Sequence, residues 1–190
     1  TINLSGDFNM AGGIIGVSAI VFNGVAGEIH TVGGGYVDNL FDDGATAEFW
    51  INAAGGGEGG AGRIIDKYAS AMAFQVVDGA GANKLQFQQK FGDNDGIWIT
   101  DDLVITDDKW HHVAVTYNNS ADTNDPIIYV DGKQVAITET SIPDGDRDSD
   151  GGGLMIFGNR NAGDKTFDGT MAMVRFWNVI RTQTELRTEM

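Results

Sequence analysis

Trp110-His111-His112-Val113-Ala114-Val115-Thr116-Tyr117, followed after a polar loop by Ile128-Tyr129-Val130-Asp131-Gly132-Lys133-Gln134-Val135-Ala136, is the stretch whose reading decides the fold. In the first run Trp110, His112, Ala114 and Thr116 fall on one side, and His111, Val113, Val115 and Tyr117 on the other. This period of two is that of a β-strand. The second run is two strands joined by Asp131-Gly132. Asp-Gly is favoured in two-residue hairpin turns because both central residues take positive φ.

The same logic extends outward. Strands are expected at 19–24, 27–32, 46–52, 63–68, 72–77, 85–91, 97–105, 154–157 and 171–177. In the third of these Ala47, Phe49 and Ile51 share one face, and Glu48 and Trp50 the other. Residues 53–62 hold six glycines and read as a mobile loop; no GxxxxGK[ST] motif supports a phosphate cradle there. Residues 142–153 are a loop rich in Asp and Gly. Thr182, with Glu185 three residues on, forms a capping box and starts the one expected helix. About a dozen short strands and one C-terminal helix define an all-β, two-sheet antiparallel sandwich. Residues 1–17 are Gly-rich, mildly apolar and poorly periodic, and read as an N-terminal arm ahead of a single domain at 18–190.

Composition agrees. The chain has 190 residues, 28 Gly and only 2 Pro, enough length for one cored domain. It has no cysteine, which excludes disulfides and thiolate-bound metals. The formal net charge is −15, and six of the 27 acids are Glu, leaving 21 Asp, a residue that favours turns. A field of this sign repels nucleic-acid phosphates and anionic membranes and is compatible with cations or with a salt-adapted surface. No stretch is apolar and long enough to span a bilayer, so membrane insertion is not expected. No basic n-region precedes an apolar segment, so no signal peptide is expected within residues 1–190.

The ordered set of motifs resembles a known family. Ala47–Ile51, Arg63–Lys67, Trp110–Tyr117, Tyr129–Ala136, Phe167-Asp168-Gly169 and Val174-Arg175-Phe176-Trp177-Asn178, with the helix that follows, are similar to the laminin-G-like, concanavalin-A-like lectin/glucanase domains in their bacterial and viral form. The resemblance spans residues 19–188 and implies a jelly-roll sandwich that binds or builds, with some members cutting glycans. It also implies a calcium site with acids in the first-strand turn and on the last long strand. Here those positions read Asn23 and Ala172, so both acids are missing. The His pair common in the family at 111–112 carries no catalytic duty, and strand alternation sends the two rings to opposite faces.

Three kinds of site are conceivable on such a sandwich. A concanavalin-A-like hydrolase needs paired carboxylates on alternate residues of one strand; no ExDxE is present, nor a GxSxG elbow. For metal, Asp144, Asp146, Asp148 and Asp150, with Gly151, read as the D-x-D-x-D-G opening of a calcium loop, although Phe157 stands where an EF-hand has its bidentate Glu. Ca2+ is thus the expected ion. A sugar site needs an exposed aromatic face and planar polar groups, and Trp98, Tyr36, Gln86 and Gln88 are the candidates, with Trp50, Trp110 and Trp177 assigned to the core.

The function expected is non-catalytic. The first reading is a structural or adhesion subunit of a larger assembly, such as a phage decoration or fibre protein or a cell-surface appendage, on the virion surface or outside the cell, with residues 1–17 contacting other protein subunits. The alternative is a carbohydrate-binding, lectin-like module. A glycoside hydrolase is the third.

Overall fold

The structure, a computed structural model, describes the backbone of residues 2–5, 9–13, 16–31, 35 and 37–190, and side chains within that set from Ala19 onward. The strands in chain order are β1 (Ile2–Ser5), β2 (Asn9–Gly13), β3 (Gly16–Asn23), β4 (Glu28–Thr31), β5 (Ala45–Ala53), β6 (Ala61–Lys67), β7 (Met72–Val77) and β8 (Ala82–Gln89). They continue as β9 (Gly96–Thr100), β10 (Ile105–Thr106), β11 (Trp110–Tyr117), β12 (Ile127–Val130), β13 (Lys133–Gln134), β14 (Ile137–Ser141), β15 (Met155–Phe157) and β16 (Asp168–Trp177), before helix α1 (Gln183–Glu189).

Two antiparallel sheets result. One runs β1-β4-β15-β6-β7-β8-β9-β14, with β10 also on β8; the other runs β13-β12-β11-β5-β16-β3-β2. Alternation buries one face of each. Phe74, Phe87 and Trp98 lie opposite one another on β7, β8 and β9, and meet Phe49 of β5 and Tyr117 of β11 across the interior. The Asp131-Gly132 turn forms as its residue types require, with φ of 50° and 66°, and pairs Val130 with Lys133. The capping box on α1 forms as well: Glu185 N–H donates to Thr182 Oγ1, and Thr182 N–H to Glu185 Oε2.

Three expectations need correction. Trp98 is the core tryptophan, 1% exposed, with its Nε1 donating to Asp125 Oδ1 at 2.8 Å. Trp50, Trp110 and Trp177 are only half-buried, because Trp50 shares parity with Glu48, away from Phe49. Second, the glycine loop is tied down. Glu58 forms a 3-10 turn and its Oε2 accepts from both Thr166 N–H (3.1 Å) and Thr166 Oγ1 (2.9 Å). Gly57, at φ +79°, lets the chain approach so closely that a Cβ there would lie 2.7 Å from Thr166 O. Third, the described parts of residues 1–17 belong to the sheets: β1 pairs with β4 and β2 with β3.

Candidate functional site

The carboxylates of the acidic loop are not gathered around one point. Asp150 turns inward, and its Oδ1 accepts from Asn39 N–H at 2.6 Å. Asp148 stays exposed, while Asp144 and Asp146 belong to a ladder in which Asn94 pairs with Asp144 and Phe91 with Arg147. The cation near this loop is the protein's own. Lys67, fully buried at the end of β6, donates from Nζ to Asp38 Oδ1 and to Gly153 O, both at 2.6 Å, and lies 4.0 Å from Asp150 Oδ1. Burial pushes the Asp150 carboxyl above its ordinary range, while the Asn39 N–H and Lys67 pull it down. Among the described residues no group of three His, Asp or Glu side chains is placed to hold a metal ion. At the other place the family implies, Asn23 Oδ1 caps the turn by accepting from Val25 and Ala26 N–H.

The three expected sugar contacts among the described residues, Trp98, Gln86 and Gln88, do not form one binding face either. Trp98, sealed in the core, offers no face to a ligand. Tyr36 lies outside the described residues. Gln86 and Gln88 do point outward from β8, half-buried, but their ladder neighbours are Ala73, Gln75, Ile97 and Ile99. Gln88 is also engaged with Asp95 at 3.3 Å.

A different constellation forms where β6 turns into β7. Ala71 N–H donates to Tyr68 O at 2.9 Å, closing a four-residue turn. Its central residues Ala69 and Ser70 have φ of 50° and 64°, and Tyr68 itself has 42°. Left-handed backbone costs an L-residue about 1–2 kcal/mol, and none of the three is Gly. Local bonds offset it. Ser70 donates to Asp66 from N–H (3.2 Å) and from Oγ (2.7 Å), and Tyr68 N–H donates to Leu154 O (3.1 Å).

The turn leaves Tyr68 53% exposed. It lies against Gly153, since Met155 of β15 pairs with Lys67 of β6 and brings residues 152–154 alongside; a methyl on Gly153 would overlap Tyr68. Beside Tyr68 runs a depression of about 280 Å³, lined also by Ala69, Gly152, Gly153 and Asn161. It adjoins a second of about 260 Å³, lined by Asp66, Ser70, Arg160 and Asn161 and sharing Ala69 and Asn161 with the first. Arg160 donates from Nε and Nη2 to the two carboxylate oxygens of Asp164, at 2.6 and 2.8 Å. Burial raises the Asp66 carboxyl above its ordinary range, against the pull of Ser70 and Arg63. The groove thus offers an aromatic face, a hydroxyl, a carboxamide and a guanidinium within one surface.

His111 and His112 each meet a carboxylate. His112 Nε2 meets Glu48 Oε2 at 3.2 Å on the outer face of the second sheet, and His111 Nδ1 meets Asp131 Oδ2 at 2.9 Å at the hairpin. Around Glu48, Trp177 Nε1 donates to Oε1 at 3.0 Å and Arg175 Nη1 lies 3.1 Å from it. Burial pushes Glu48 up, but His112, Trp177 and Arg175 together hold its carboxyl below the ordinary range. Helix α1 covers this face by packing Leu186 on Ala114 and Tyr129.

Comparison with known proteins agrees with this architecture. A search of curated proteins by sequence finds no match. Among solved structures, the receptor binding domain of botulinum neurotoxin mosaic serotype C/D superposes with a TM-score of 0.68 at 12% identity, over 99% of this chain and 45% of that one. Domain 4 of AbnA, an extracellular GH43 arabinanase from Geobacillus stearothermophilus, in complex with arabinotriose, gives 0.62 at 16%, over 98% and 86%. A putative carbohydrate binding protein from Bacteroides ovatus gives 0.60 at 22%, over 89% and 45%. The chain therefore spans less than half of the botulinum and Bacteroides structures. At these identities the likeness shows the fold. A family model matches residues 32–187, most of the chain, and with the two-sheet architecture this makes the protein a member of the concanavalin A-like lectin/glucanases superfamily.

Proposed function

We propose that this domain is a non-catalytic glycan-binding module that works outside the cell or on a surface, with the Tyr68 groove as its sugar site. The observation that carries the reading is an exposed tyrosine held by a left-handed turn beside Ser70, Asn161 and Arg160. A pyranose or furanose ring presents C–H groups on its faces and hydroxyls at its edges; an aromatic face takes the first, and planar polar side chains the second. The fold neighbours include an arabinanase domain complexed with arabinotriose and a putative carbohydrate binding protein, which supports a binding rather than a cutting role. The assembly-subunit alternative rests on residues 1–17 standing apart from the sandwich, and the pairing of β1 with β4 and β2 with β3 weakens it.

The test is an array of neutral oligosaccharides, arabinotriose among them, probed with wild type, Tyr68→Ala and Tyr68→Phe. Loss of one stacking face is worth about 0.5–1.5 kcal/mol, a factor of roughly 2–13 in affinity. Tyr68→Ala should weaken binding by that factor and Tyr68→Phe should retain most of it. An array without binding, or a hit that Tyr68→Ala leaves intact, would refute the assignment.

A further inference from the structure

A wider hollow than the Tyr68 groove lies elsewhere, where the loops after Phe41, Phe91, Tyr117 and Ile142 converge. It is a cleft of about 760 Å³ lined by Asp42, Asp93, Asp122, Asp144, Asp146 and Arg147, with Asn119 beneath them. Five carboxylates face one guanidinium, and that guanidinium is already committed: Arg147 Nη2 bonds Asp42 Oδ2 at 2.7 Å and Nη1 bonds Asn39 Oδ1 at 3.0 Å. The lining therefore carries a formal charge of −4, five Asp against one Arg.

Crowded Asp side chains on loop tips are common on a chain of net charge −15 and mean nothing alone. A second feature is independent of them. Asn119, a neutral residue 4% exposed, lines the cleft, and its Oδ1 finds no hydrogen-bond donor among the described residues. Asp42 Oδ1, the oxygen not used by Arg147, is likewise buried and without a donor. A buried acceptor left unpaired costs about 1–3 kcal/mol, and native structures rarely leave one so. Both orphans are acceptors, and both line the same cavity.

We propose that this cleft is a binding site for a ligand carrying several ammonium groups, whose N–H donors satisfy Asn119 Oδ1 and Asp42 Oδ1 while its charge is matched by Asp93, Asp122, Asp144 and Asp146. A single divalent ion is the poorer match, since no three of these carboxylates are grouped around one point and the hollow is of small-molecule size. An ammonium offers three donors on one compact charge, and a chain of them spreads along the cleft. The exposed aromatic that marks the Tyr68 groove has no counterpart among the lining residues, where Phe91 is buried, so the two sites call for different chemistries.

Ammonium chains come as free polyamines or as lysines of a partner protein, and the probes separate these. Spermine and a tetralysine peptide are titrated calorimetrically into the full chain at moderate ionic strength. Wild type is compared with Asp93→Asn/Asp144→Asn, with Asn119→Leu, and with a control, Asp101→Asn/Asp102→Asn, which removes the same charge from an exposed turn at the opposite end of β9. At least one probe should bind with one defined stoichiometry, weakened tenfold or more by the Asp93/Asp144 variant and by Asn119→Leu, and less than threefold by the control. Tighter binding of spermine assigns the free amine, and of tetralysine the protein lysines. If neither probe binds, or if the control weakens binding as much as the cleft variant, the attraction is one of net charge and the proposal fails. Should Asn119→Leu unfold, the two double variants, which change only exposed Asp, still decide between these outcomes.

Discussion

Glu48→Gln isolates a buried carboxylate that ties three strands together. Glu48 is 1% exposed on β5 and receives donors from β11 (His112) and from β16 (Trp177 and Arg175). Hydrogen bonds to a charged group contribute about 1.5–3 kcal/mol each. Gln keeps one acceptor oxygen, so one of the His112 and Trp177 bonds survives in neutral form, at about 0.5–1.5 kcal/mol. Its NH2 then faces the other donor. Arg175 is partly exposed and its share is about 0–1 kcal/mol. The net loss is about 3 kcal/mol, equivalent to roughly 6–12 °C in Tm for a chain of this size. The loss also carries a pH signature. Glu48 is held below its ordinary 4.5, so its stabilisation is fully present above that value and is lost as pH falls through the lower folded value. Urea unfolding of wild type and Glu48→Gln should therefore show a gap of about 3 kcal/mol at pH 7 that shrinks toward pH 3. A gap unchanged over that range would mean that shape, not charge, holds the cluster, and the electrostatic reasoning would be refuted.

Other outcomes follow from the same geometry. Lys67→Met should destabilise by about 3–5 kcal/mol, because it takes the buried ammonium away from the buried Asp150 carboxylate and breaks the ion pair with the partly buried Asp38; a thermal melt within a degree or two of wild type would contradict this. Gly153→Val should cost both the groove and some stability, since a Cβ there would fall 2.3 Å from Tyr68 Cβ and push the turn and residues 152–154 apart, and is read as loss of sugar binding with a lowered melting temperature. Removal of residues 1–13 takes away β1 and β2, one strand from each sheet, and should lower the melting temperature; an unchanged melt would return the segment to the status of a separate arm. Millimolar calcium should shift the melt by under a degree, and a saturable shift abolished by Asp148→Ala would revive the calcium loop.

Local chemistry was legible in the chain and long-range convergence was not. The Asp131-Gly132 turn, the opposed faces of His111 and His112 and the Thr182–Glu185 box each depend on neighbours within a few residues, and each forms as read. The face of Trp98 was misassigned because flanking Gly96 and Asp101 suggest a surface, whereas its pairing with Phe87 on β8 fixes the parity inward. The Asp144–Asp150 pattern suggested an external cation because nothing local announces that Lys67, from a distant strand, is buried against Asp150 and Asp38. Tyr68 reads as the last residue of a strand; only the left-handed turn and the approach of Gly153, far along the chain, make it an exposed platform. Three consecutive non-Gly residues at positive φ are not visible in the letters Tyr-Ala-Ser.

The central claim, that sugar is held at the Tyr68 turn, is tested most directly by backbone amide NMR of the isotope-labelled chain titrated with the tightest oligosaccharide from the array. The account predicts saturable shifts confined to residues 68–70, 152–154 and 160–162, with the residues of the acidic cleft unmoved. Shifts centred instead on 91–94, 119–122 and 144–147, or on the outer face of β8 at Gln86 and Gln88, would contradict it.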